Sequence, residues 1–293
     1  MKKIYFPDTA AILDPCGDKV FKHIFTQDTP SSRGALSSLL SAFVGRKTQV
    51  LAVTANEPPV SNPQDRQIRY DIACKFEGGE RADLEMTLYP RPHEAARLEY
   101  YLARLYINQD IKGTDKGFRN LQRTYQISFF VKKSLYPGRE LIHHFRYYDR
   151  RHRIDLGGQT EIITVELEKA AGLLKKRAGA LSPAESWACF FRYGPEVERR
   201  GLINEILAEE EGIAMAGEKL LTVSEDERFQ AWQMSAEKYE LDRQDDLTEA
   251  RYAGYAEAEA KYQGQIRQVQ GQLSLKDEQM RRMEEEIRRL KGQ

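Results

Sequence analysis

Between residues 68 and 76 apolar positions alternate with polar or small ones: Ile68, Tyr70, Ile72, Cys74 and Phe76 against Arg69, Asp71, Ala73 and Lys75. The same period returns after a short loop, where Ala82, Leu84, Met86 and Leu88 alternate with Arg81, Asp83, Glu85 and Thr87. A period of two marks a strand with one buried face, and the Gly-containing loop between the runs predicts an antiparallel hairpin. With Glu77-Gly78-Gly79 as a three-residue loop, Phe76 pairs with Glu80 and Asp71 with Glu85. A two-residue loop at 78–79 would pair Asp71 with Met86 and mix the faces, so the first register is preferred.

Helical spacing dominates elsewhere. Val20, Phe21, Ile24 and Phe25 form one face of a short helix that Asp18 is placed to cap, and Leu36, Leu39, Leu40 and Phe43 line a second helix over 34–44, with Gly45 to end it. VLAVTA at 50–55 reads as a strand and 57–64 as a loop. After Pro90 and Pro92 a helix over 93–110 carries the stripe Ala95, Leu98, Leu102, Leu105 and Tyr106. Strands are predicted at 125–131, 141–148 and 161–168, followed by helical stretches around Trp187 and Phe190. The order predicts an α/β fold, a mixed sheet flanked by helices, and not a clean βαβ repeat. The expected organisation is a folded domain over 1–195, a helical connector over 196–246 and a coiled coil over 247–293.

The tail has its own repeat. Ile266, Leu273, Met280 and Ile287 recur every seven residues, as do Val269, Lys276, Met283 and Leu290 three positions later, and Tyr252, Tyr255 and Tyr262 continue the phase upstream. A 3-4-3-4 seam predicts a left-handed coiled coil, so self-association through 247–290, as a parallel dimer, is expected. A solvated single helix needs no such seam. The competing reading is packing of this face on the protein's own core.

Composition narrows the setting. Charged residues make up 31% and mean hydropathy is -0.65, much of that polarity lying after residue 195. Lys+Arg and Asp+Glu are 45 each, so no overall field draws the chain to nucleic acid or membrane, and any such contact needs a local patch. Cys16, Cys74 and Cys189 form no CxxC pair or disulfide framework, there is no apolar run long enough to span a bilayer, and MKKIYFPDTA lacks the apolar core of a signal peptide. A cytoplasmic address is expected.

The chemistry lies in the hairpin. Asp71 and Glu85, opposite each other, would bring two carboxylates to within roughly 5 Å at their β-carbons. Such a pair repels unless a proton or cation intervenes, and Mg²⁺ or Mn²⁺ is the natural oxygen-bound solution. The bland alternative is a solvated face on which Asp83 pairs with Lys75, and Asp71 with Arg69 or Arg81. A second feature is the run 139–153, where Arg139, Arg146, Arg150, Arg151 and Arg153 interleave with His143, His144, His152, Tyr147 and Tyr148. It is the best local basic patch, fit either to contact phosphates or to pair with acids such as Asp149.

A series of segments in this order resembles the PD-(D/E)XK nuclease superfamily, and within it the Rpn-like, transposase-associated branch of recombination-promoting nucleases. They are DKVFKHIF at 18–25, LSSLLSAFVG at 36–45, YDI at 70–72 and DLEMT at 83–87. RLEYYLARLYINQDIKG at 97–113, FRNLQRTYQISFF at 118–130 and ITVELEK at 163–169 continue the series. The resemblance covers about residues 14–170. It implies a restriction-endonuclease-like core, divalent metal and hydrolysis of DNA. Carried onto this chain, Asp71 and Glu85 are implied as metal ligands, with Asp18 as a further acidic position and Gln109, with Lys112 near it, as a possible phosphate neighbour. The departure is Thr87, where the family carries Gln and the wider superfamily Lys. Threonine is short and uncharged, and Arg69, opposite it in the proposed register, is a phosphate clamp but a poor base. The expectation is thus a Mg²⁺-dependent DNA endonuclease; the alternative is a catalytically impaired relative that binds DNA or acts as an oligomeric interaction protein.

Overall fold

A computed structural model describes residues 4–54, 69–109 and 117–291. The loop expected over 57–64, hairpin position Ile68 and Lys112 lie outside them. Among the described residues a six-stranded sheet forms in the order β1 (Val50–Val53), β2 (Ile72–Phe76), β3 (Arg81–Thr87), β4 (Thr124–Phe130), β8 (Thr160–Glu166) and β5 (Ile142–Phe145). β3–β4 and β4–β8 are parallel and the other pairs antiparallel, so the sheet is mixed. A separate two-stranded ribbon, β6 (Tyr148–Asp149) and β7 (Ile154–Asp155), interrupts the chain between β5 and β8.

The hairpin has the register that side-chain period demands. Ile72 faces Leu84, Ala73 faces Asp83 and Cys74 faces Ala82, while Phe76 N–H donates to Glu80 O at 2.8 Å across the loop. Gly79 stands at φ 86 in that loop, a conformation open to glycine at no steric cost. The apolar side of the strands, including Ile72, Leu84, Ile127, Phe129 and Val165, meets α1 (Asp18–Thr26), α2 (Pro30–Val44) and α4 (Pro183–Tyr193) in one core. Phe129 is its pivot, with ring centroids 5.2 Å from Phe43 and 5.1 Å from Phe191.

Local chemistry sets the helix ends. The hydroxyl of Thr29 accepts from Ser32 N–H, Pro30 fills the first turn and Gly45 closes α2 at φ 76. Ser182 and Glu185 form a reciprocal capping box on α4. α1 differs from expectation: its N-cap is Gly17, and Asp18 is the first helical residue, its carboxylate turned to Lys22 one turn on.

Two further helices, α5 (Arg200–Glu209) and α6 (Glu211–Ser224), add Ile203, Ile206, Leu207, Ile213 and Leu220 to the same core. They also clasp the beginning of the chain. Asn204 accepts from Phe6 N–H at 2.8 Å and donates to Phe6 O at 3.1 Å, Arg200 donates to Ala10 O at 3.1 Å, and Ser224 Oγ accepts from Leu13 N–H at 3.0 Å. α6 runs so close to α2 that a β-carbon on Gly212 would lie 2.1 Å from Ser38 Cβ.

Contacts divide the chain into a unit Met1–Ala231 and a second, Trp232–Gln293. The described residues of the latter all belong to a single helix, α7 (Glu227–Lys291). On it Ile266, Val269, Leu273, Met280, Met283 and Ile287 are each more than half exposed. No helix among the described residues is long and apolar enough to cross a membrane.

Candidate active site

The remaining helix, α3 (Glu94–Ile107), connects β3 to β4 and lies on the sheet face opposite the aromatic core. Its buried stripe is Glu94, Leu98, Leu102 and Leu105; Ala95, placed on that stripe by spacing, is exposed. The face it covers is the polar face of the hairpin. Asp83 is fully buried and Glu85 nearly so, and Gln126 and Ser128 of β4 and Thr164 and Glu166 of β8 are buried beside them. The solvated face weighed as the alternative for these acids does not hold: α3 buries its own leucines against this side of the sheet.

Asp71 lies one residue before β2, in register with Glu85. Its N–H donates to Glu85 Oε1 at 3.2 Å, and its Oδ2 accepts from Met86 N–H at 3.0 Å. The chain thus locks both acids side by side at one end of the hairpin. Burial and then the charge of Asp71 push the Glu85 carboxyl up to about 7, against the pull of Arg97. Burial and the charge of Glu85 likewise hold Asp83 well above the usual carboxylate range, although Gln126 Nε2 donates to its Oδ2 at 2.8 Å. The other Asp83 oxygen, Oδ1, is buried with no hydrogen-bond partner among the described residues.

Two cations complete the site, neither singled out by sequence. Lys22 of α1 bonds Asp18 at 2.5 Å and Asp71 at 3.1 Å, bridging the two acids. Burial works against its charge, but those two carboxylates prevail and hold its pKa above the ordinary lysine value. Arg97 of α3 donates through Nη1 to Glu85 Oε2 at 2.9 Å, through Nη2 to Thr87 Oγ1 at 3.2 Å and through Nε to Glu94 Oε1 at 2.7 Å. Burial opposes its charge too, and Glu85 and Glu94 raise its pKa in spite of that. A guanidinium therefore stands over the position where a longer side chain at residue 87 would end. The signal available in sequence was the i, i+3 pair Glu94–Arg97 on the flank of the Leu98 stripe.

The other expected residues fall elsewhere. Asp18 is largely exposed and joined to Asp71 through Lys22. Arg69 is exposed ahead of β2, and the partner of Thr87 is Arg97 in its place. Gln109 is not brought to the acids: Nε2 donates to Gln122 O at 2.8 Å and Thr124 Oγ1 at 3.0 Å, and Oε1 accepts from Gln122 N–H at 2.8 Å. Thr124 pairs with Arg81, at the other end of β3 from Glu85, so Gln109 clamps the entry to β4.

The described residues hold no group of three or more His, Cys, Asp and Glu side chains arranged around one ion position. Two adjacent carboxylates still fit Mg²⁺, which keeps several waters and commonly uses one or two carboxylates with substrate phosphates. The charge of Asp71, which adds to burial in raising Glu85, and the Asp83 oxygen without a partner among the described residues are the features a divalent cation would relieve.

A family model described as PD-(D/E)XK nuclease family transposase matches residues 15–250. No curated protein matches the chain. No solved structure matches it.

Proposed function

Because the chain belongs to the PD-(D/E)XK nuclease family transposases, we propose that it is a divalent-metal-dependent endonuclease hydrolysing phosphodiester bonds in DNA. The observation that supports this reading most is the pairing of Asp71, at the head of β2, with Glu85 of β3, supported by the bonds from Asp71 N–H to Glu85 Oε1 and from Met86 N–H to Asp71 Oδ2. Asp71 and Glu85 would hold Mg²⁺ or Mn²⁺, with Asp18 within reach through a shift of Lys22. When bound, the ion supplies Lewis acidity toward a phosphate oxygen and a water of lowered pKa. The chain's own part is electrostatic and positional. Arg97 fixes one oxygen of Glu85 and has the fork geometry to take a phosphate oxygen. Lys22 steadies Asp71 and can offset charge on a bound phosphate. Burial under α3 keeps these interactions in a low-dielectric setting, where they are strong.

The exposed heptad seam of α7 supports self-association, and a dimer would bring two sites to the two strands of one duplex. A second reading, a DNA-binding relative impaired in cleavage, is favoured by one observation. Thr87 has neither charge nor length, and the guanidinium above it, which stays protonated, cannot serve as a base.

Nicking of supercoiled plasmid with Mg²⁺ or Mn²⁺ tests the choice. Wild type is expected to nick, and Asp71→Ala to lose at least 100-fold, on the order of a removed transition-state contact. Binding without nicking, unchanged by either metal, would favour the second reading.

A further inference from the structure

Between β5 and β8 the chain leaves the sheet, and every residue from His144 to Gln159 is exposed. Within this excursion β6 and β7 pair Tyr148 with Asp155 and Asp149 with Ile154. Alternation places Tyr147, Asp149, Ile154 and Leu156 on one face of the ribbon and Arg146, Tyr148 and Asp155 on the other. Tyr147, Ile154 and Leu156 are 65%, 60% and 72% exposed, a bare apolar flank on a ribbon with two residues per strand.

The turn at its end is built, not slack. Asp149 Oδ1 accepts from Arg151 N–H at 2.9 Å and His152 N–H at 3.2 Å, while Oδ2 meets the His152 ring at 2.7 Å. Arg153 stands at φ 58, an uncommon conformation for a residue with a side chain. The ordered turn displays Arg150, Arg151 and Arg153, and none of the three has a carboxylate partner among the described residues. Arg146 at the base is different, committed to Asp155 and Glu161. The acids of this segment thus shape and anchor the ribbon and leave its tip cationic.

We infer that this ribbon is an arm that binds duplex DNA, its three tip arginines on phosphates and its apolar flank against the groove wall. The major groove of B-DNA admits a two-stranded ribbon, and phosphate contacts from arginine fix orientation without reading sequence. β8, to which the arm returns, is two strands from the β3 that carries Glu85, so the arm and the carboxylate pair are rooted in one sheet. The inference rests on DNA as the ligand of the proposed function and is independent of cleavage.

Fluorescence anisotropy with a labelled duplex in EDTA, between 50 and 200 mM salt, tests it on the full chain. Each phosphate contact contributes about 0.9 to the slope of log affinity against log salt. Arg150→Gln/Arg151→Gln/Arg153→Gln should therefore lower the slope by about 2.7, so the loss of affinity across that range shrinks by about 40-fold. Tyr147→Ala/Leu156→Ala should weaken binding at an unchanged slope. All five positions are exposed, so circular dichroism should show native folding in both variants. An unchanged slope in the triple variant, or no duplex binding by wild type, overturns the inference; an equal slope change on a single-stranded oligonucleotide overturns the groove placement. Wild type that binds but never nicks would defeat hydrolysis and leave the arm standing. Nicking by wild type, with DNA binding unaltered in the triple variant, would do the reverse.

Discussion

Arg97→Met keeps much of the length and apolar stem of arginine while removing the one guanidinium shared by Glu85, Thr87 and Glu94. Glu85 and Glu94 have side chains only 5% and 1% exposed, so the variant leaves two buried carboxylates without their counter-ion. Breaking a buried pair from one side typically costs about 3–5 kcal/mol, and that loss of unfolding free energy is expected at pH 8. The deficit should depend on pH, and its sign is fixed. Glu85 titrates near 7 in the fold against 4.5 as an ordinary glutamate. Its stabilising contribution is fully present below 4.5 and is lost as pH rises through 7, about 3 kcal/mol in all. Without Arg97 the folded value climbs further. The wild-type loss then levels off above 7 while the variant keeps falling by about 1.4 kcal/mol per pH unit. Urea denaturation at pH 5, 6, 7 and 8 reads both curves. Repeating it in a Glu85→Gln background closes a double-mutant cycle, where a coupling of about 0.5–3 kcal/mol is expected for groups in contact. A deficit equal at pH 6 and pH 8, or a cycle that is additive, would refute the argument that Arg97 is the counter-ion of a buried acid.

Other outcomes follow from separate parts of the molecule. Gln109→Ala should cost about 1–3 kcal/mol in chemical denaturation by stranding the Gln122 backbone groups; a loss of nicking with stability intact would restore it to the site. Gly212→Ala forces a β-carbon onto Ser38 and should lower stability by about 1–3 kcal/mol, measured by thermal melting; an unchanged melting temperature would mean that α2 and α6 do not approach as described. Ile266→Asp/Leu273→Asp should convert a dimer to monomer in sedimentation velocity, and a monomeric wild type would remove the coiled coil from the account.

Much of this architecture was legible in the amino-acid order. The period-two runs around Glu77-Gly78-Gly79 set a register that could not slip by one residue without turning Leu84 outward, so Asp71 and Glu85 came out opposite each other. The stripes of α1 and α2 were equally plain, since Phe21, Phe25, Leu36 and Leu40 have nowhere to go but a core. The environment of the acids was not legible. Strand period tells which residues share a face, not what lies over it, and the alternating charges of β3 read the same under solvent as under a helix. α3 decided the matter, and with it came Arg97, whose three contacts join positions 3, 10 and 12 residues away. Lys22 was hidden for a related reason: its approach to Asp71 depends on how α1 docks beside β2. Gln109 had the right chemistry at the wrong end of the sheet, a distinction that one-dimensional spacing does not carry.

The clasp between the first residues and α5–α6 bears on when the molecule can finish folding during synthesis. Leu13 waits for Ser224, 211 residues later, and Phe6 for Asn204. At translation rates of about 5–20 residues per second the gap lasts roughly 10–40 s. Throughout it Phe6 and the parts of α1 and α2 that pack on α6 are without their final neighbours. The same delay keeps a growing polypeptide from completing the scaffold around the Asp71–Glu85 pair before most of its length has left the ribosome.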